Sequence, residues 1–332
     1  MPDPVRVGLG CVRLGGGDGR SVGDDIRLVR GALDLGVTVF DTADVYGGGT
    51  SEHVLGRALR GRRDDAIVAT KAGFVFRPRT TFEQWGRRRA KEVLRWLPER
   101  SSESTDAPGR PAQPPVDSTS APVVRQDFSA RYLRRSIHAS LRRLRTDRLD
   151  VFQLHGPDAF VPGVIDQLAD LVVTGDIVRI GIGADSIAAA SEWLSVPGVT
   201  VLHVPFGMLD TGARAELFGA AEESGQDVWV RGVLGGGLLA DVGNPSGVAS
   251  HPKRGQVDRL AELAAEAGID VHDLAMRFAV AHRSSFSTAI VGSTRLDHLA
   301  HNVTTLTGPP LDPDLVEQIE RIDHGDLGGG RR

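Results

Sequence analysis

Short apolar runs alternate with amphipathic stretches along most of the chain. The first runs are VRVGLG near 5–10, VTVFD at 37–41, AIVATK at 66–71 and LDVFQLH at 149–155. VRIGIGA at 178–184, TVLHVPF at 200–206, DVWVRGVL at 227–234 and STAIVGS at 287–293 follow. Apolar and β-branched residues on consecutive positions are the mark of parallel strands covered on both faces. Between them lie DDIRLVRGALDLG, SEHVLGRALR, ARYLRRSIHASLRRL, PGVIDQLADLVVTG, ARAELFGAAEESG and VDRLAELAAEAG, which have helical spacing. Several close on glycine, a common helix stop. Eight strands with helices between them predict an α/β fold, a (β/α)8 TIM barrel spanning residues 1–332 as a single domain. The competing doubly wound sheet needs a glycine-rich phosphate turn leading into a helix after its first strand. GLGCVRLGGG has its glycines in other places.

One segment breaks the rhythm. Residues 72–127, after the third strand, are far longer than the two to six residues usual for a strand-to-helix connection. The first half, TFEQWGRRRAKEVLRWLPER, has helical spacing with Trp85 on an apolar stripe. Its basic run at 87–89 reads as a solvated helix face. The second half, at 101–122, is Ser/Pro-rich and predicts disorder.

Composition narrows the class. Of 332 residues, 40% are hydrophobic and 25% charged, as in globular proteins with a full core. A net charge of −4 gives no reason to expect nucleic acid or an anionic membrane as partner. Cys11 is the only cysteine, which excludes an intrachain disulfide and a thiolate metal cluster, and no metal is expected. The start MPDPVRVGLG has no secretory pattern and no run reaches membrane-spanning length, so the expected location is cytoplasmic.

The basic residues are almost all arginine; Lys71, Lys91 and Lys253 are the only lysines, and Tyr46 and Tyr132 the only tyrosines. A Lys or Tyr at a buried position therefore suggests chemistry that Arg and Phe cannot supply. In such barrels catalytic groups sit at the C-terminal strand ends and in the loops that follow. The second predicted strand ends at Asp41, the third at Lys71 and the fourth at His155, and Tyr46 lies in the loop after Asp41. Each alone has an ordinary explanation: a turn-capping carboxylate, a salt bridge, a core histidine. Together they describe an acid for a carbonyl oxygen. An ammonium beside a phenol lowers its pKa, a carboxylate holds the ammonium, and an imidazole orients the substrate oxygen.

With those residues in view, the chain resembles the aldo-keto reductase family. The likeness lies in FDTADVYGGGTSEHVLGRAL, VATKAG, SLRRLRTDRLDVFQLHGPD, VRGVLGGGLLAD and IVGSTRLDHLAHN. The resemblance implies the same barrel, a small carbonyl substrate, and NADPH as hydride carrier held without a dinucleotide fingerprint. By the same resemblance Tyr46 is the general acid, Asp41 and Lys71 tune it, and His155 orients the carbonyl.

The implied cofactor residues are Asp41, His203, Phe206, Leu234, Gly236, Gly292, Ser293, Thr294, Arg295, His298 and Asn302. Phe206 is expected to stack on the nicotinamide. The glycine-rich loop with Leu234 and Gly236 offers amides to pyrophosphate, and Gly292 to Arg295 precede a helix suited to a 2′-phosphate. Three positions depart from the family pattern: Gly183-Ala184 for a Ser-Asn pair, His203 for Gln, and His298 for Arg. Either Asp185, His203 or backbone amides replace the lost contacts, or cofactor use is altered. Phe74, Phe76 and Trp85 are expected to wall the substrate pocket. A redox-neutral epimerase or dehydratase and a non-catalytic regulatory barrel remain as alternatives.

Overall fold

The computed structural model describes residues 5–15, 20–76, 123–240 and 251–323. Its strands in chain order are β1 Arg6–Gly10, β2 Val39–Asp41, β3 Ile67–Ala72, β4 Phe74–Phe76 and β5 Val123–Gln126. There follow β6 Leu149–His155, β7 Ile177–Gly183, β8 Val199–Pro205, β9 Asp227–Arg231 and β10 Thr288–Val291. Eight of them close into a barrel in the order β1-β10-β9-β8-β7-β6-β3-β2, every neighbour parallel. Each of the eight apolar runs supplies one barrel strand.

Register decides which alternate residues face the lumen. Val39, Ala69, Val151, Val201, Trp229 and Ile290 form one small buried cluster, the plug of the barrel. Two positions further along the same strands stand Asp41, Lys71, Gln153, His203 and Arg231. Side chains alternate across a strand with period two, so these polar residues share the lumen face directly above the plug. The intervening positions, among them Phe40, Phe152, Leu202 and Val204, belong to the larger core beneath the helices.

The helices form for local reasons. Val22–Asp34 opens with a capping box between Ser21 and Asp24 and Ala130–Leu144 with Ser129 accepting from the Tyr132 amide; each cap satisfies an otherwise orphan amide. The stretch 161–175 holds less helix than its pattern suggests: a 3-10 turn at Asp166–Leu168 and the short helix Ala169–Val173. No helix among the described residues is long and apolar enough to cross a membrane.

The ends of the insertion hold a feature that the sequence reading lacks. β4 and β5 pair antiparallel as a separate two-stranded ribbon. The Asp127 amide donates to Gly73 O at 2.7 Å, and Tyr132 Oη donates to Phe74 O at 2.7 Å. The segment therefore leaves β3 as a strand, pinned to the Ala130–Leu144 helix. Three residues are too short to show a strand period. Trp85, the helical stripe around it and residues 101–122 lie outside the described residues.

Candidate active site

Asp41 and His155 end β2 and β6, Lys71 is the last residue but one of β3 between them, and barrel closure brings the three together. The Lys71 ammonium donates to Asp41 Oδ1 and Oδ2 at 2.6 and 2.5 Å and to Thr42 O at 3.0 Å. Both side chains are buried, so neither charge would be tolerable without the other. Lys71 Nζ lies 5.3 Å from the Tyr46 ring centroid. The Tyr46 and His155 rings meet edge-to-face at 5.9 Å.

The loop after β2 explains how Tyr46 is held. Cys11 donates its amide to Asp41 O, Thr42 to Ala69 O and Asp44 to Lys71 O, at 2.8, 2.9 and 3.0 Å. Gly47, Gly48 and Gly49 then run through φ values of 59, 65 and 93°, a left-handed path that side chains disfavour. The path is also crowded: a Cβ on Gly47 would strike Thr50 Oγ1. Ser51 donates to Cys11 O at 2.7 Å, and buried Glu52 accepts from Thr70 Oγ1 at 2.6 Å and Arg143 Nε at 2.5 Å. The GGGTSE stretch thus locks the tyrosine loop onto the barrel.

Protonation follows from burial and charge. Burial pushes Tyr46 above the ordinary phenol value, with Lys71 pulling the other way. The sequence reading had the ammonium lower that pKa; here desolvation outweighs it, and the phenol carries its proton at neutral pH. Burial opposes charge on Lys71, yet Asp41 and Tyr46 raise it overall. His155 is held well below its ordinary value by burial, then by Lys71 and Arg231. It is therefore neutral, and its Nδ1 is buried without a hydrogen-bond partner among the described residues.

Gln153 extends the group, and the sequence reading missed it. It donates Nε2 to Asp41 Oδ1 at 3.2 Å and faces His203 Nδ1 with Oε1 at 3.1 Å. An amide oxygen only accepts, so His203 carries its proton on Nδ1 and Nε2 is the acceptor. That Nε2 is buried and unpartnered among the described residues. Burial, Lys71 and Arg231 hold the ring neutral. Gly181 and Gly183 make room: a Cβ on Gly183 would lie 3.1 Å from Gln153 Oε1 and 3.3 Å from Lys71 Cδ.

Aromatic and charged residues shape the mouth. Phe74 meets the His155 ring at 4.7 Å, and Phe76, like Tyr46, packs against the Ala43 and Val45 cluster. Arg231 donates through Nη2 to Ala184 O at 2.8 Å and Asp185 Oδ1 at 2.7 Å, holding the segment where a Ser-Asn pair was expected.

The proposed dinucleotide residues divide. Phe206 is a correction: it is fully buried among Phe218, Phe278, His282 and Phe286. It follows outward-facing Val204 by two positions, so its faces are spent in the outer core and cannot stack on a nicotinamide. Leu234 packs against the core, and Gly235, Gly236 and Gly237 have φ of 59, 68 and 105°, with open space where a Cβ on Gly236 would stand. Asn302 is 2% exposed with its buried Oδ1 unpartnered among the described residues, which suits the amino group of an adenine. Ser293 Oγ donates to Arg295 O at 2.7 Å and accepts from Arg295 N at 3.1 Å. Arg295 caps the helix Leu296–Leu306 without a side-chain hydrogen bond, leaving the first-turn amides for an anion. Its guanidinium pairs with Asp297, holding that carboxyl well below its usual range. Arg20 donates to Thr294 O and pairs with Asp25 at 2.8 Å, bracing this loop from the β1 side. Gly292 and His298 are exposed. Orphan acceptors at both ends, with amides between, fit a nicotinamide dinucleotide.

The family profile described as "Aldo/keto reductase family" matches residues 6–324. An uncharacterized oxidoreductase of Bacillus subtilis is 23% identical over 98% of this chain and 94% of its own length. The holo form of an aldo-keto reductase from Bacillus halodurans is similar at 25% identity and a TM-score of 0.75, covering 97% of this chain and 96% of that one. An aldo/keto reductase from Klebsiella pneumoniae, solved with NADP and acetate, is similar in fold: 21% identity, a TM-score of 0.64, and 95% and 90% coverage.

Proposed function

The chain belongs to the aldo/keto reductase family, a family of NAD(P)H-dependent oxidoreductases, and on that premise we propose that it reduces an aldehyde or ketone to an alcohol with NADPH. When bound, the reduced nicotinamide supplies the hydride that adds to the carbonyl carbon. Tyr46 gives its phenolic proton to the carbonyl oxygen as the carbon–oxygen double bond becomes single. Lys71 stabilises the phenolate left behind, and Asp41 keeps the ammonium charged and in place. His155, neutral and edge-on to Tyr46, orients the carbonyl oxygen. Asn302 and the first turn after Arg295 would hold the adenosine end, and His203 Nε2 would accept from the carboxamide. The relative solved with NADP supports NADPH as the cofactor.

The observation that supports this reading most is the Asp41–Lys71 pair, buried and placed behind the only tyrosine beside His155. Phe74 and Phe76 give the mouth an apolar wall, which favours a carbonyl carried on a bulky carbon frame over a minimal aldehyde. The test is a screen of ketones, aryl aldehydes and sugar aldehydes, followed by loss of NADPH absorbance, with Tyr46→Phe as control. Turnover without stoichiometric NADPH loss would replace it with a redox-neutral reaction.

A further inference from the structure

The helix Val271–Ala281 packs beside Leu296–Leu306, and three side chains able to bind a metal converge between them. His272 and Asp273 stand in the first turn of one helix; His301 projects from the other. One ligand atom from each residue lies within 4.8 Å of the other two. His301 Nε2 is 2.5 Å from Asp273 Oδ1, and His272 Nδ1 is 3.5 Å from the same oxygen. The two imidazole centroids are 5.4 Å apart.

A surface His–Asp hydrogen bond accounts for His301 and Asp273. It does not account for His272, whose Nδ1 is buried, makes no hydrogen bond among the described residues and faces the same carboxylate. Nor is Asp273 needed as the cap, because Asp270 Oδ1 accepts from the His272 amide at 2.8 Å. We propose that His272, Asp273 and His301 bind one divalent transition-metal ion of the zinc type, with water completing a tetrahedron.

The donor set selects the ion. Two imidazoles and one carboxylate suit zinc, cobalt(II) or nickel(II), whereas magnesium and calcium prefer oxygen alone. Bonds of about 2.0–2.2 Å place tetrahedral donors about 3.4 Å apart; His272 Nδ1 already stands 3.5 Å from Asp273 Oδ1, and side-chain rotation would open the 2.5 Å His301–Asp273 contact to admit the ion. The positive end of the helix dipole works against a cation there; the Asp273 carboxylate offsets it. A bound ion would cross-link the two helices and stabilise the folded chain by mass action.

The test uses tag-free full-length protein stripped with chelator, titrated with Co2+ by visible absorption and with Zn2+ by calorimetry. One equivalent should bind, and both ions should raise the thermal unfolding midpoint. His272→Ala, Asp273→Asn and His301→Ala should each weaken binding at least about tenfold, as loss of one of three ligands requires. They should also shrink the thermal shift at a fixed metal concentration, while His138→Ala, at a surface histidine elsewhere, should change neither. His301 is exposed and His272 and Asp273 are partly exposed, and circular dichroism will establish that the variants fold. No saturable one-equivalent site below about 100 µM would overturn the proposal. So would an effect confined to one of the three variants.

Discussion

Gln153 joins Asp41 to His203, donating to the carboxylate at 3.2 Å and meeting the imidazole Nδ1 at 3.1 Å. The pair that anchors the proposed acid is thus continuous with the ring proposed to meet the nicotinamide. Gly183 leaves room for this link, since a Cβ there would stand in tight contact with Gln153 Oε1. Restoring the serine usual in the family, as Gly183→Ser, would crowd the amide at 3.1 Å.

Tyr46→Phe should remove carbonyl reduction and leave NADPH binding unchanged, because only the transferable proton is lost. Retention of more than a few per cent of kcat would make another group the acid. Lys71→Arg should also fail: a planar guanidinium cannot occupy the compact site that Asp41 and Thr42 O surround. Steady-state kinetics alongside fluorescence titration of NADPH read both results.

Stability should fall on the acid side of neutrality. His155 and His203 have native values held well below the ordinary 6.5. Their contribution is full above that ordinary value. Below it the unfolded chain takes up protons that the native rings refuse, so stability drops towards the native values. The slope reaches about 1.4 kcal/mol per pH unit for each ring. His203→Gln removes one such ring, so its thermal midpoint should drop less than wild type between pH 7.5 and 5.5. Equal drops would place the acid lability elsewhere.

Cofactor discrimination should separate Arg295 from Asn302. Arg295→Ala should weaken NADPH by roughly ten- to a hundredfold, the loss of one charge-assisted contact of about 1.5–3 kcal/mol, and leave NADH nearly unchanged. Asn302→Leu should weaken both cofactors alike, since the adenine is common to them. Asp297→Asn, by releasing Arg295 from its present partner, should tighten NADPH. Equal loss of both cofactors in Arg295→Ala would refute the 2′-phosphate assignment.

Phe74→Ala with Phe76→Ala should raise KM for a bulky substrate far more than for a small test aldehyde. The Phe74 ring lies against His155, and Phe76 packs on the same Ala43 and Val45 cluster as Tyr46, so both would border the proposed carbonyl site. Equal changes for the two substrates would assign the rings to support of the loop.

The chain's local chemistry determined the barrel and the ends of its strands. Apolar runs, their helical intervals and the polar residue closing each run are read within a few positions. Asp41, Lys71 and His155 were therefore legible, as was the glycine loop carrying Tyr46. Which face each strand residue takes was not legible, because strands covered on both sides are apolar on both and carry no visible alternation. Only barrel closure turned Gln153 and His203 inward and Phe206 outward. Desolvation, likewise a product of packing, put the phenol of Tyr46 above its free value despite the nearby ammonium. His272, Asp273 and His301 come from two helices, and Asp273 and His301 are 28 positions apart. No spacing rule joins them; packing of one helix on the other does.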